Sequence, residues 1–150
     1  ARYFVSHLLQ DREDIAALLL LDMIGYADGP RDPLCQLSPG DSQSSLGLAA
    51  IALDAAADLN LTEPYSLTPL LEPRFSERSY LYNTDGVIFA DAGFPVVLIN
   101  EHLNYYSTLM REGYHDSTDT SYIINFNYAV AITKVAIETT ARLAGAPAAH

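Results

Sequence analysis

Two short stretches of the chain carry residue types that hydrolytic chemistry uses. The first, Leu21-Asp22-Met23-Ile24-Gly25-Tyr26, sets a carboxylate at the end of an apolar run. A carboxylate there is costly unless it is paired, hydrogen-bonded or bound to a cation. In open α/β sheets, ligands gather at the carboxyl ends of strands. Asp22 fits such a ligand position, and it equally fits a turn acid just past the element. The second stretch, Tyr114-His115-Asp116-Ser117-Thr118-Asp119-Thr120, sets an imidazole among carboxylates. A neutral imidazole binds zinc well, and a carboxylate commonly orients its other ring nitrogen. His115 fits that role, and also that of a loop histidine bonded to its neighbours.

Other candidates carry less. In Tyr80-Leu81-Tyr82-Asn83-Thr84-Asp85-Gly86, Asp85 suits the start of a helix, where negative charge is favoured. Tyr80 and Tyr82 could line a pocket or donate to an oxyanion, or they could simply pack, and Tyr105, Tyr106 and Tyr114 pose the same choice. His7, His102 and His150 have no ligand set beside them. Cys35 is the only cysteine, which excludes an internal disulfide and a cysteine-rich zinc site. Any metal must then be held by histidine and carboxylates, as in catalytic rather than structural sites. There is no Gly-x-Ser-x-Gly nucleophile elbow and no glycine-rich phosphate loop.

The elements that would position these groups follow from the pattern. Residues 2–9 read as the end of a helix. For Ile15 to Ile24, alanine and leucine content favours a helix, whereas length and flanking turn signals allow a buried strand. Residues 25–41, rich in Gly and Pro, read as one long loop. A helix is expected over Ser44 to Leu59 with Leu46, Ala49, Ala50, Leu53 and Ala57 on its buried face. A short strand over Ser66 to Leu71 comes next, then a helix over Asp85 to Ala92 ended by Gly93. Phe94 to Ile99 is the best strand, being short, β-branched and bounded by turn residues. A second long loop spans Glu101 to Tyr122. The last helix starts near Asn125 or Asn127, buries Tyr128, Ala131, Ile132 and Val135, and ends at Gly145 and Pro147. Alternating strands and helices predict a layered α/β domain, with about three strands, few for a covered sheet.

The bulk numbers narrow the function. The 150 residues suffice for one domain. Eight basic against nineteen acidic residues give a net charge of −11. That opposes nucleic-acid binding and anchoring to anionic lipid, and is compatible with binding cations or a substrate amine. No apolar run approaches the ~20 residues of a membrane span.

Together these stretches resemble the di-zinc aminopeptidase family of the bacterial leucyl aminopeptidase type, whose relatives include glutamate carboxypeptidase and glutaminyl cyclase. LDMIGY at 21–26 is similar to the family's Asp-Met-x-Gly strand end. NTDGVIFADAGFPVVLINE at 83–101 is similar to its Ser-Asp-His, Phe, then Gly-hydrophobic-Pro pattern, and YHDSTDT at 114–120 to its His-Thr-x-x-Asp-Thr. The resemblance tips Ile15 to Ile24 towards a strand. It implies a three-layer α/β/α fold with a central mixed sheet, the phosphorylase/hydrolase-like zinc exopeptidase fold, with residues 1–150 as the C-terminal half of one catalytic domain. It implies two zinc ions, Asp22 binding one and His115 the other, with Asp119 supporting the histidine loop. Thr84-Asp85-Gly86 departs from Ser-Asp-His by losing the histidine, which is not a metal ligand in the family. Nothing matches the family's His-x-Asp, bridging Asp or Glu-Glu pair, so the general-base Glu is expected upstream and the chain alone is expected to be inactive. The implied activity is release of N-terminal residues from a peptide, in a secreted or periplasmic setting. The expected partners are the peptide, the upstream half of the same domain and a second copy of the chain. A glutaminyl-cyclase-like acyl transferase and a non-catalytic protein-binding domain are the alternatives.

Overall fold

The computed structural model describes residues 1–26, 33–62, 66–101 and 113–145. Its centre is a four-stranded mixed sheet in the order β1-β4-β2-β3. The strands are β1 (Leu18–Leu21), β2 (Leu34–Pro39), β3 (Thr68–Leu71) and β4 (Val96–Asn100). β4 runs parallel to β1, with Leu21 opposite Ile99, and antiparallel to β2, with Gln36 opposite Asn100. β2 and β3 are parallel. The helices are α1 (Arg2–Asp11), α2 (Gln43–Thr62), α3 (Gly86–Asp91) and α4 (Phe126–Leu143).

Strand alternation sends successive side chains to opposite faces, and each face has its own core. On one face Leu19, Cys35, Leu37, Val97 and Ile99 pack against α2 and α4 through Leu48, Ala49, Ala52, Ala56, Tyr128, Ile132 and Val135. On the other, Leu18, Leu20, Val96 and Leu98 pack against α1 and α3 through Val5, Leu8, Phe89 and Ala90. The result is the three-layer α/β/α arrangement expected from the resemblance.

Several expectations are corrected. Residues 25–41 are not one loop, because β2 occupies Leu34–Pro39; residues 27–32 lie outside the described part. β2 contains a proline and polar residues, so its strand character comes from pairing on both edges rather than from propensity, and Pro39 sits at its last position, where a missing N–H costs least. β1 is half-buried rather than covered on both faces, with Leu21 43% exposed, because it lies at the edge of the described sheet. β4 is buried throughout. On α2 the buried face is Ser45, Leu48, Ala49, Ala52, Ala55 and Ala56, while Leu46, Ala50 and Ala57 face outward. α2 is apolar on most sides, so periodicity alone does not choose the face. The last helix buries Tyr128, Ile132 and Val135 as expected.

The ends of the helices are set by named side chains. Ser42 Oγ accepts from Ser45 N at 3.1 Å at the start of α2. Ser45 Oγ in turn accepts from Val96 N at 3.0 Å, tying α2 to β4. Asn125 Oδ1 accepts from Tyr128 N at 3.1 Å and caps α4. The Tyr128 hydroxyl donates to Leu34 O, fixing α4 against β2. Arg142 pairs with Glu138 of its own helix and with Asp58 of α2. Asp85 occupies the position before α3 but makes no side-chain cap bond and already has helical dihedrals. The cap is Thr84 instead, whose Oγ1 accepts from Gly86 N at 3.2 Å. Among the described residues, no helix is long and apolar enough to cross a membrane.

Candidate active site

Asp22 is exposed and follows β1 immediately, at the carboxyl end of two parallel strands. The backbone after it leaves the ladder. Leu18 N donates to Pro95 O, and continuing that register would bring Glu101 N to the carbonyl of Asp22. Glu101 N donates to Met23 O instead, at 2.9 Å. The displacement has a visible cause in Met23, which adopts a left-handed conformation with φ 49°. Further bonds among the described residues hold the turn. Besides the Met23 bond, Tyr26 N donates to Glu101 Oε2 at 2.7 Å, and Asn125 N, just before α4, donates to Gly25 O at 2.8 Å.

His115 is also exposed, in a turn held by Asp116 N to Gly113 O at 3.0 Å and Asp119 N to Asp116 O at 3.1 Å. His115 itself has φ 54°. Gly113 has φ 78°, and a Cβ there would lie 3.0 Å from both Asp119 Cα and Ile123 Cδ1, so glycine is required on both counts. The Tyr114 ring stacks on the imidazole, with centroids 4.1 Å apart and planes 13° apart. The Tyr114 hydroxyl is 3.2 Å from that of Tyr80, a residue of the α1/α3-side core.

Among the described residues, Arg12, Met23 and His115 are the non-glycine residues with positive φ. Arg12 ends a helix, where the left-handed conformation is common. The other two are a candidate ligand and the neighbour of the other candidate. Such backbone persists only where the surroundings over-determine it, and it clusters at functional sites.

The two turns meet through the segment between them and α4. Ile123 packs on Gly113, and Ile124 lies against Gly25, where a Cβ would come within 3.2 Å of its Cγ2. Asp22 and His115 therefore belong to one end of the domain. Their donor types, carboxylate and imidazole, suit zinc. Among the described residues no group of three or more His, Cys, Asp or Glu could hold a metal, so the pair is at most part of a ligand set.

The remaining candidates fall elsewhere. Asp119 is exposed and shapes the histidine turn through its backbone N–H; the carboxylate that organises this turn is Asp116. Asp116 accepts from Thr118 N at 3.2 Å and Ser117 Oγ at 3.1 Å, and these bonds, the Thr118 amide foremost, lower its pKa. Tyr82 is 45% exposed and packs beside Phe75 and Arg74. The tyrosine that reaches the histidine turn is Tyr80, two residues earlier. His102, Tyr105 and Tyr106 lie outside the described residues. Sequence reasoning missed Glu101 altogether; its signal was a glutamate directly following the best strand.

Comparison with known proteins bears on the family and the fold. The sequence profile of Peptidase family M28 matches residues 1–140. No curated protein matches in sequence. Among solved structures, the chain is similar to the LapA aminopeptidase of Legionella pneumophila, with TM-score 0.68 and 17% identity over 95% of this chain and 34% of that one. A second LapA structure gives 0.67 and 14% over 97% and 36%. LapB from the same organism gives 0.66 and 21% over 95% and 35%. The chain thus spans about a third of the length of these proteins, and at such identities the likeness speaks for the fold.

Proposed function

The chain belongs to peptidase family M28, and from that premise we propose that the protein is a zinc-dependent aminopeptidase in which Asp22 and His115 each anchor one of two metal ions. The observation that carries this is the shared placement of the two turns, joined through Ile123, Ile124 and Asn125 at the end of the sheet where β1 and β4 terminate. Ligands gather at that end in open α/β sheets.

When bound, a pair of zinc ions would lower the pKa of a shared water and polarise the scissile carbonyl. The protein's part is to present its donors already oriented. Asp22 is offered by a turn tied through Met23, Gly25 and Tyr26, so its carboxylate needs little ordering when it takes a cation. His115 is held by its stack on Tyr114, which fixes the ring plane while leaving its edge exposed. The remaining donors, and a glutamate acting as general base, would come from other parts of a protein of the relatives' length, whose strands could pair beside β1, an edge strand of the described sheet. The acidic character of the chain suits a substrate that enters by a free amino terminus. A secreted or periplasmic setting is part of the same proposal, and cell fractionation tests it.

The test is zinc content and hydrolysis of aminoacyl-p-nitroanilides by the full-length protein. Wild type should hold two zinc ions per chain and lose activity to a chelator. Asp22→Ala and His115→Ala should each lose zinc and drop kcat/KM roughly 10³-fold, the rate equivalent of about 4 kcal/mol. Wild-type zinc content in both variants would refute the assignment.

A further inference from the structure

We propose that Glu101 is a positioning residue for Asp22, acting as a clamp across the turn that presents it; this rests on the reading of Asp22 as a metal ligand. Glu101 is 2% exposed, and carboxylates are almost never that buried unless they are held by partners. It reaches the turn with two separate groups. Its backbone N–H donates to Met23 O at 2.9 Å, and its side-chain Oε2 accepts from Tyr26 N at 2.7 Å. One residue thus brackets the turn at both ends, immediately after Asp22 and at the point where the chain leaves the described part.

The two bonds differ in what a substitution can remove. The Met23 bond is made by backbone and survives any replacement at 101, as does the bond from Asn125 N to Gly25 O. The Tyr26 bond ends on a carboxylate. At 2.7 Å it lies at the short end of the range for N–H···O bonds. It closes a turn whose second residue, Met23, sits at φ 49°, a conformation that needs support from its surroundings. Loss of the carboxylate would remove this bond and loosen the Tyr26 end, widening the range of positions open to Asp22 while leaving the sheet intact. The partners that orient metal ligands typically govern affinity by about 10- to 100-fold.

The experiment compares wild type, Glu101→Gln, Glu101→Ala, Glu101→Asp and Asp22→Ala in the full-length protein. It reads zinc affinity by competition with a chromogenic chelator, exchange of the Tyr26 amide, and Tm. Glutamine keeps an acceptor oxygen at the same reach and should stay within about threefold of wild-type zinc affinity. Alanine should weaken zinc by about 10- to 100-fold and deprotect the Tyr26 amide. Aspartate keeps the charge but withdraws the oxygen, so it should show the same two effects in smaller measure; it decides the matter if the alanine variant does not fold. Wild-type zinc affinity in Glu101→Ala or Glu101→Asp would overturn the proposal. So would a glutamine variant as impaired as alanine, or a fall in Tm with Tyr26 protection unchanged. If Asp22→Ala leaves zinc affinity at the wild-type value, the metal reading itself fails, and Tyr26 exchange still decides whether the clamp exists.

Discussion

The two faces of the sheet are built differently. Against α2 and α4 the sheet presents Cys35, Leu37, Val97 and Ile99, all fully buried, to a helix face made largely of alanine. Against α1 and α3 it begins in the same way, with Val96 and Leu98, but the next position on that face is Asn100, with Gln36 and Ser38 beside it on β2, all fully buried. Gln36 Nε2 donates to Arg78 O at 2.7 Å and Ser38 Oγ at 3.0 Å. Gln36 Oε1, both polar atoms of the Asn100 amide and Ser79 Oγ have no hydrogen-bond partner among the described residues. One face invests in packing. The other carries polar groups at the strand ends where the candidate site lies, the kind of local cost that functional sites carry.

The largest effect should come from the dry face. Ile132→Ala or Ile99→Ala removes a fully buried side chain from the α2/α4 core and should cost about 2–5 kcal/mol in urea denaturation. A loss below about 1 kcal/mol would mean that this face is not the stability core. The polar face should respond with the opposite sign. Asn100→Leu replaces an amide without a partner among the described residues by an apolar group, and should be neutral or stabilising by about 1 kcal/mol. A destabilisation above about 2 kcal/mol would show that the amide is satisfied by buried water. Of similar size is Asn125→Ala, which deletes the α4 cap and should cost about 1 kcal/mol without touching the Gly25 bond, made by the Asn125 backbone.

The mildest probe is pH. Burial pushes the Cys35 thiol up from 9.0 to about 12. The folded state therefore holds this proton more tightly than the unfolded one. Its contribution is complete below the unfolded value and is lost as pH rises through the folded one. Cys35→Ala should flatten the decline in Tm above pH 9, and wild type should react with thiol reagents only as it unfolds. Rapid labelling of folded protein at pH 8 would contradict the dry reading of this face.

How far the sequence disclosed this depends on the range of the interaction. Phe94 to Ile99 could be read as a strand from its own residues, because β-branched side chains between turn signals need no outside help. Leu18–Leu21 could not: four leucines are good helix formers, and parallel pairing with β4 decides them. Leu34–Pro39 was hidden for the same reason, since its partners lie in β3 and β4. Asp22 stood out as a carboxylate closing an apolar run. The bond from Tyr26 N to Glu101, which helps fix its turn, spans 75 positions: the glutamate after the best strand is visible in the sequence, but its partner is not. Asp85 was misjudged at short range: a threonine and an aspartate in tandem both suit a cap, and dihedral angles rather than composition selected Thr84.

Ala52, Ala55 and Ala56 are each fully buried, so α2 lies on its neighbours with side chains one carbon long. A larger residue at any of the three would have to displace its neighbours or shift a helix of 20 residues. A saturation library over α2 would therefore print a barcode: a narrow stripe of positions admitting only glycine, alanine or serine, repeating every three or four residues, beside open tolerance at Leu46, Ala50 and Ala57. Read without any structure, that stripe would give the orientation of the helix, which hydrophobicity alone could not.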